Sequence, residues 1–215
     1  MSKLVSIEQA VAKLEHGQSL LIGGFLNVGT PERLVDFILE KGLNDLEIIG
    51  NDTSFPDKGV GRLVANKRVR KVVATHIGTN PETGKQMHSG ETEVVLVPQG
   101  TLAEQIRAGG AGLGGVLTPT GIGTVVEEGK EKVTVDGKDF LLEKPIGADV
   151  ALIKAYKAEK YGNLVYRKAA RNFNPIMATA AKLVIAEVDH VVESIDPDEV
   201  MTPGVFVDMV VRGDE

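Results

Sequence analysis

The stretch LLIGGFLNVGTPE, residues 20–32, decides the fold. Its first three residues have the apolar character of a short buried strand, and a loop with glycines at positions 23, 24 and 29 follows. Thr30 then suits the N-cap of a helix, Pro31 its first position and Glu32 the positive end of its dipole. Strand, glycine loop and helix start in this order direct free backbone N–H groups toward one point. The loop is therefore expected to receive an anionic or carbonyl-bearing ligand.

Short apolar runs and helical patterns alternate after this stretch. Helical periodicity covers residues 31–41, where Leu34, Ile38 and Leu39 share one face, and residues 101–108. Strands whose residues are almost all apolar are typical of a sheet covered on both faces. The predicted class is therefore α/β, with a mainly parallel sheet covered by helices. Strands are expected at residues 20–22, 46–49, 72–74, 94–97, 150–153, 183–186 and 205–211.

One segment departs from this alternation. Residues 132–142, KVTVDGKDFLL, alternate apolar and polar side chains on either side of Asp136 and Gly137. An Asp-Gly pair between two such runs predicts a β-hairpin. The sequence contains no internal repeat, low-complexity tract or Pro/Ser-rich linker, so residues 1–215 are expected to form a single domain.

The composition narrows the class of protein. The net charge is −6, whereas a nucleic-acid binder needs a surplus of Lys and Arg on one face. Because the chain has no cysteine, it has no disulfide, thiolate metal ligand or cysteine nucleophile. No apolar run reaches the roughly 20 residues of a membrane span, and Glu8 and Glu15 interrupt the N-terminal apolar residues. We expect a cytoplasmic protein that binds neither nucleic acid nor membrane.

The glycine loops do not match nucleotide-binding motifs. Gly24 and Gly29 have P-loop spacing, but Thr30 and Pro31 stand where that motif needs Lys followed by Ser or Thr. Residues 110–115, GAGLGG, fit G-x-G-x-x-G, yet a helical pattern precedes them where a dinucleotide site has a strand. The four histidines have no metal-ligand spacing, and no serine lies in a G-x-S-x-G elbow. From the residues alone, each loop is as well explained as a tight turn.

Longer strings are more specific. They include GQSLLIGGFLNVGTPE (17–32), IGNDTSFPDKGVGRL (49–63), SGETEVVLVPQGTLAEQIRAGGAGLGGVLTPTGIGT (89–124), ARNFNP (170–175) and MTPGVFVD (201–208). Together these strings resemble the α subunit of the family I coenzyme A transferases along essentially the whole chain. The likeness is greatest to the acetate/acetoacetate or butyrate/acetoacetate group. His16 departs from the pattern, because the family usually has Asp or Asn there, but it lies outside the glycine loop.

The resemblance implies ping-pong acyl exchange, with CoA and acyl-CoA as substrates and no tightly bound cofactor. In this family the glutamate that attacks the acyl-CoA thioester lies on the β subunit. The chain is therefore expected to be an enzyme only together with a β subunit, in an α2β2 heterotetramer. The implied acyl donors are acetoacetyl-CoA, butyryl-CoA or acetyl-CoA, and the implied acceptor is a short-chain carboxylate such as acetate. Glu91 is expected to be structural or to support the site without contacting the substrate, because its string matches the α subunit.

The resemblance also implies roles for individual residues. Asn51, in a turn after a strand, is expected to stabilise the oxyanion formed during thioester attack. Gln99, between a strand and a helix, is expected to donate to the substrate carboxylate. Apart from the resemblance, Asn51 is typical of a turn cap and Gln99 of an ordinary loop amide. The residues expected to contact CoA or the acyl group are Gly23, Gly24, Phe25, Leu26, Asn27, Val28, Gly29, Gly114 and Gly115.

Two other functions stay open from the sequence. One is a non-catalytic module that binds or senses acyl-CoA or a small metabolite on the same scaffold, because a fold alone does not fix chemistry. This function predicts tight ligand binding by the isolated chain. The other is a sugar-phosphate isomerase of broadly related fold, which needs a catalytic acid–base set in one chain, and no such set stands out.

Overall fold

The computed structural model describes residues 2–213. The helices of this part of the chain are α1 (Ile7–Val11), α2 (Glu32–Glu40), α3 (Val60–Ala65), α4 (Pro81–Ser89), α5 (Gln99–Gly110) and α6 (Asn174–Met177). The strands are β1 (Ser19–Ile22), β2 (Leu46–Ile49), β3 (Val69–Ala74), β4 (Glu93–Leu96), β5 (Val116–Thr118), β6 (Lys132–Val135), β7 (Lys138–Glu143), β8 (Ala148–Ala158), β9 (Leu164–Val165), β10 (Ala181–Val191) and β11 (Met209–Arg212).

The main sheet has the strand order β11-β10-β8-β1-β2-β3-β4, and every pair in this row is parallel. The short strand β9 adds an antiparallel partner to β8. From β1 the chain moves outward through β2, β3 and β4, and later returns to the other side of β1 as β8, β10 and β11. The predicted α/β class with a mainly parallel sheet is confirmed. The reversal of strand order between β1 and β8 creates a crevice at the ends of these two strands.

Helices cover both faces of the sheet and divide the core in two. On one face, Leu34 and Ile38 of α2 pack with Leu63 of α3 against the strands. On the other, Ile106 of α5 and Met177 of α6 form a second cluster with β8 and β10. Burial of these side chains supplies the main favourable term in folding. Among residues 2–213, no helix has the length and apolar character needed to cross a membrane.

The hairpin predicted at residues 132–142 is confirmed. β6 and β7 pair antiparallel, and β5 adds a third strand to this small sheet. Asp136 and Gly137 have φ values of 50° and 73°, the left-handed conformations of a type I′ turn. The strand predicted at residues 205–211 is wrong in its first half. Residues Gly204–Phe206 form a 3₁₀ turn, and β11 starts only at Met209.

Two strands are longer than their apolar runs predict. β8 and β10 each span 11 residues, because charged side chains within them pair with each other across the sheet. The Nζ atom of Lys154 lies 3.1 Å from Glu187 and 2.7 Å from Asp189. Burial opposes the charge of Lys154, but the attraction of these two carboxylates outweighs it and raises the pKa of this side chain. A charged residue therefore does not end a strand when its partner lies on the next one.

The predicted cap of α2 is corrected. The N-cap position is Pro31, not Thr30, and Pro31 provides no side-chain hydrogen bond. The backbone N–H of Leu34 instead donates to Oε2 of Glu187, which comes from β10 (3.0 Å). A carboxylate at a helix N-terminus satisfies an orphan donor and complements the helix dipole. The cap of this helix thus comes from a strand 153 residues away in sequence.

The hydrogen bonds of Asp149, at the start of β8, should make the stability of the protein depend on pH. It accepts the backbone N–H and the hydroxyl of Ser19 and the ammonium of Lys182, at 3.0, 2.9 and 2.9 Å. The bond from the Ser19 backbone contributes most to lowering the pKa of Asp149 from 3.8 to about 2. Because this pKa is depressed by folding, the stabilisation is complete above the unfolded pKa of about 4 and is lost as the pH falls toward 2.

We therefore expect Asp149→Asn to lower the free energy of unfolding at pH 5 and to change it little near pH 2. Urea titrations of the wild-type and variant proteins at both pH values measure this difference. A difference of the same size at both values would contradict the expected result.

Candidate functional site

Four loops meet where the strands of the parallel sheet end, an edge that we term the carboxyl edge. Residues 23–29 follow β1, residues 50–54 follow β2, residues 75–77 follow β3 and residues 97–99 follow β4. Because β1 borders the reversal of strand order, the glycine loop lies beside the crevice where open α/β sheets bind ligands. The structure thus gathers the predicted loop, Asn51 and Gln99 along one edge.

The glycine loop ends in a tight turn from Phe25 to Val28, whose backbone groups bond to each other in both directions (3.1 and 2.9 Å). At the tip, Leu26 and Asn27 have φ values of 45° and 75°. These left-handed conformations are uncommon for residues other than glycine. The tip is therefore held in one defined shape.

The glycine loop is expected from its sequence to present free backbone N–H groups, but most of them already have acceptors within the protein. Gly23 N–H donates to the carbonyl of Leu152, Gly24 N–H to Asn172 Oδ1 and Leu26 N–H to Asp52 Oδ2 (3.0, 3.3 and 2.8 Å). The N–H groups of Phe25 and Val28 are used within the turn. Among residues 2–213, the N–H groups of Asn27 and Gly29 have no acceptor. Only these two loop amides are available to a ligand, so the loop is less of an anion cradle than its composition indicates.

The loop glycines are required by their neighbours. A Cβ atom at Gly23 would overlap the side-chain amide of Asn174, and one at Gly24 would overlap the hydroxyl of Thr30. At Gly29 it would come within 2.8 Å of the carbonyl of Ala170. Close packing of the loop therefore excludes larger side chains at these positions.

Two asparagines of the segment 170–175 hold the loop. Asn172 accepts the Gly24 N–H and donates to the carbonyl of Val28 (2.8 Å). Asn174 is fully buried and donates to the carbonyl of Gly29 (3.0 Å), while its oxygen accepts the Lys154 N–H (2.9 Å). Sequence reasoning did not predict either role. The available signal in the sequence is the pair of asparagines two residues apart in the ARNFNP string. Their partners in the glycine loop, Gly24 and Gly29, lie about 150 residues earlier, so local sequence does not connect them.

Asn51 presents a donor in a nearly dry environment. Its exposed fraction is 2%. The hydroxyl of Thr75 donates to the Asn51 carbonyl (2.8 Å) and lies 3.3 Å from Oδ1. Within the described part of the chain, no hydrogen bond uses Asn51 Nδ2. The backbone is thus fixed by its neighbour strand, while the amide N–H₂ group stays available to stabilise negative charge.

Gln99 occupies the first position of α5 and is exposed to solvent. It follows β4, which is two strands away from β2, so it lies roughly 10 Å from Asn51 at the usual strand spacing. Both residues lie at the carboxyl edge, after strands that are not neighbours. Their assigned roles, on different groups of a substrate, stay predictions.

Gly114 and Gly115 belong to a different region. They lie between α5 and β5, and Gly115 packs against the carbonyl of Glu143 in the three-stranded sheet. No hydrogen bond of residues 2–213 joins either glycine to the 23–29 loop. Their contact with substrate therefore remains a prediction without local support.

Glu91 lies just before β4, at the opposite edge from the loops, where it pairs with Lys67 (2.9 Å). Across the described residues, no three histidine or acidic side chains form a group that could hold a metal ion. A cavity of about 500 Å³ lies near α5 and the three-stranded sheet, but it includes neither the glycine loop nor Asn51 or Gln99. The predicted site residues of the carboxyl edge therefore lie outside this cavity.

Apolar side chains flank the carboxyl edge. Phe25 and Val28 are 40% and 49% exposed, and Phe55, after the Asn51 turn, is 36% exposed. Exposed apolar groups clustered at a functional edge are typical of a surface that another molecule covers.

Known proteins resemble this chain over its whole length. The family described as Coenzyme A transferase matches residues 4–213. The alpha chain of the acetate CoA-transferase of Escherichia coli strain K12 is 55% identical over 216 residues, which cover 100% of this chain and 98% of that protein. The acetoacetyl-CoA:acetate/butyrate CoA transferase alpha subunit of Clostridium acetobutylicum is 48% identical over 213 residues, 98% of each chain. The corresponding subunit of the succinyl-CoA:3-ketoacid coenzyme A transferase of Helicobacter pylori strain J99 is 45% identical over 218 residues, 100% of this chain and 94% of that one.

Solved structures share the fold at lower identity. The glutaconate coenzyme A-transferase of Acidaminococcus fermentans matches with a TM-score of 0.85 and 21% identity, over 98% of this chain and 75% of that chain. An acyl-CoA transferase from Escherichia coli O157:H7 matches with a TM-score of 0.85 and 22% identity, over 98% of this chain. The present chain spans about half of that longer chain, 47%. The family match and the full-length relatives agree, and the chain belongs to the coenzyme A transferase family as a member of its alpha-subunit type.

Proposed function

We propose that the chain works with a β subunit to move CoA between acetoacetyl-CoA, butyryl-CoA or acetyl-CoA and a short-chain carboxylate such as acetate. Its 55% identity to one chain of an acetate CoA-transferase over the full length carries this proposal. Relatives named for succinyl-CoA:3-ketoacid transfer reach 49% identity, so the preference for a small acyl group rests on the 55% relative.

The state of the acidic side chain at the site supports a nucleophile from another chain. Asp52 directly follows Asn51, but its two carboxylate oxygens already accept the N–H groups of Leu26 and Ser54 (2.8 and 2.7 Å). A carboxylate engaged on both oxygens is a poor nucleophile, because attack would sacrifice these charge-assisted bonds. We therefore keep the attacking glutamate on the β subunit, as the family resemblance implies.

The proposed reaction proceeds by ping-pong exchange. The partner's glutamate carboxylate attacks the thioester carbonyl, CoA leaves as a thiolate, and an acyl–glutamyl anhydride forms. The thiolate then attacks the glutamyl carbonyl, which releases the first carboxylate and leaves a glutamyl–CoA thioester. An acceptor carboxylate reverses both steps. CoA and acyl-CoA act as substrates, and no tightly bound cofactor takes part.

Asn51 and Gln99 supply the polar groups of this chain in the proposal. A prealigned amide N–H₂ at Asn51 stabilises the oxyanion of each attack better than water, since it needs no reorientation. Gln99 donates to the carboxylate of the substrate. Phe25 and Leu26 form an apolar wall beside a short acyl chain, and the free N–H groups of Asn27 and Gly29 contact the thioester end of CoA.

The exposed Phe25, Val28 and Phe55 fit burial against the β subunit, which would cover the carboxyl edge and exclude water. We propose an α2β2 assembly in the cytoplasm. Sedimentation of the co-purified subunits measures the stoichiometry.

The function is tested by assaying CoA exchange between acetoacetyl-CoA and acetate with this chain alone and with its β partner. Tritiated borohydride then reduces the enzyme–CoA thioester and labels the residue that carried it. Activity only with both subunits, and label on a glutamate of the β subunit, are expected. Label on this chain, or full activity without a partner, would refute the proposal. Tight acyl-CoA binding by the chain alone, without exchange, would favour a sensor.

Substitution of Gln99 should affect carboxylate binding rather than the rate of attack. We expect Gln99→Ala to raise KM for the carboxylate by about tenfold, because Gln99 is exposed and the low end of the cost of one charge-assisted hydrogen bond, about 1.5 kcal/mol, applies. The KM for acyl-CoA should change less when the carboxylate is varied at a fixed acyl-CoA concentration. Steady-state assays with each substrate varied in turn separate the two values. A lower kcat with unchanged KM values would contradict a role in carboxylate binding.

A further inference from the structure

Asp52 joins two loops that the proposed function places at the site. Its side chain is 6% exposed. Oδ2 accepts the N–H of Leu26 at the tip of the glycine loop (2.8 Å), and Oδ1 accepts the N–H of Ser54 in its own turn (2.7 Å). One buried carboxylate therefore bridges residues 25–28 and residues 51–54.

The two residues that donate their N–H groups to Asp52 both have unusual backbone conformations. Leu26 has φ 45° and Ser54 has φ 51°, in the left-handed region that side chains other than glycine rarely adopt. Such conformations persist only when the surrounding structure determines them. A charged acceptor aimed at each N–H group supplies that determination, because bonds to ionised groups are about twice as strong as neutral ones.

The position of Asn51 depends on the same turn. On its other side, Asn51 is fixed by Thr75, whose backbone N–H and hydroxyl donate to the Asn51 carbonyl (2.9 and 2.8 Å). Asp52 pairs with His76 in a parallel bridge that continues the sheet by one residue. The Asn51 amide is thus held between a rigid strand and the turn that Asp52 closes.

We propose that Asp52 is a positioning residue, which sets the distance between the glycine-loop wall and the Asn51 amide without contacting the reacting atoms. This inference rests on the proposed function, since it concerns the geometry of that site. A displacement of about 1 Å in a catalytic group lowers the rate by roughly 100-fold. The expected consequence of losing Asp52 is therefore a lower kcat at nearly unchanged substrate affinity.

The test uses Asp52→Asn in the co-purified two-subunit enzyme. An asparagine has nearly the same shape, but its amide can accept only one of the two N–H groups. We expect kcat to fall by about 100-fold, with KM for acyl-CoA within about threefold of the wild-type value. The ¹⁵N–¹H signal of Leu26 or Ser54 should move upfield, since one of the two amides loses its charged acceptor.

Asp149→Asn is the matched control. Asp149 is another carboxylate that accepts a backbone N–H from a neighbouring segment, but it lies at the start of β8, at the opposite edge. We expect this variant to lose stability at neutral pH while kcat stays within about twofold. Equal kcat values for the two variants, or unchanged Leu26 and Ser54 signals in Asp52→Asn, would overturn the proposal.

A second variant covers the case in which Asp52→Asn does not assemble. Asp52→Glu keeps the charge but moves the carboxylate by one methylene. The assembled enzyme should therefore lose kcat, while the Leu26 and Ser54 amide signals stay near their wild-type positions because a charged acceptor is still present. Normal kcat in this variant would also overturn the inference. If the wild-type enzyme shows no CoA exchange, the proposed function fails, whereas the amide signals still test the link between Asp52 and the two loops.

Discussion

We expect Asn51→Ala to lower kcat of the assembled enzyme by about 100- to 1000-fold, the usual cost of removing one oxyanion donor. Within residues 2–213 the amide Nδ2 makes no hydrogen bond, and Thr75 holds the Asn51 backbone through its carbonyl, which alanine retains. Alanine therefore removes the donor while the turn stays folded. Steady-state CoA exchange measures the loss, and sedimentation of the two subunits together tests whether assembly is intact.

Two further variants sharpen this prediction. Asn51→Asp keeps the shape but replaces the donor with an acceptor, so its kcat should fall at least as far as that of Asn51→Ala. Asn66→Ala removes an exposed amide whose one side-chain hydrogen bond within residues 2–213 goes to the Arg62 carbonyl of its own helix (2.8 Å), and it should leave kcat unchanged. If Asn51→Ala retains kcat within about twofold, or loses it only because the subunits separate, Asn51 is a structural residue.

We expect Gly23→Ala to destabilise the fold by about 3 kcal/mol, from overpacking together with disturbed buried hydrogen bonds. The added methyl would overlap Asn174, which is fully buried and binds Gly29, Ala170 and Lys154. Neither the glycine nor the asparagine has room to move without breaking these bonds. For a chain of this size the midpoint of thermal unfolding should fall by roughly 6–12 °C.

Gly84→Ala is the control for this substitution. Gly84 lies inside α4, and a Cβ atom there meets no other atom within 4 Å. Alanine is favoured over glycine in a helix by about 1 kcal/mol, so this variant should be as stable as the wild-type protein or more stable. Thermal unfolding of both variants under one set of conditions measures the contrast. Equal midpoints for Gly23→Ala and the wild-type protein would show that the loop can yield.

The sequence predicts the sheet well because its signals are local. Apolar runs such as residues 20–22 and 46–49 coincide with β1 and β2, and the Asp-Gly pair at residues 136–137 lies at the hairpin turn. The prediction fails where a distant residue decides the local structure. The cap of α2 comes from Glu187, and the full length of β8 depends on partners for Lys154 in β10.

The candidate site divides in the same way. The loop after β1 and the polar turn after β2 can be placed at one edge from the parallel topology alone. Which loop N–H groups are free cannot be predicted in this way. Asn172 accepts the N–H of Gly24 and Asp52 accepts the N–H of Leu26, and neither role has a signature in the local sequence. A glycine-rich string therefore predicts close packing more reliably than it predicts free donors.

The pairing of β1 with β8 has a consequence for the order in which the protein is made. Leu20 lies beside Val150, so the half of the sheet from β1 to β4 leaves the ribosome long before its neighbour on the other side. The glycine loop gains its hydrogen bonds later still, because Asn172 and Asn174 are synthesised after β8. During synthesis the early strands can associate, as local units of a growing chain do, but the loop reaches its final shape only after most of the chain has emerged. Until β8 has emerged, the edge of β1 that pairs with it in the folded protein is open, and an open strand edge is a template for pairing with other chains.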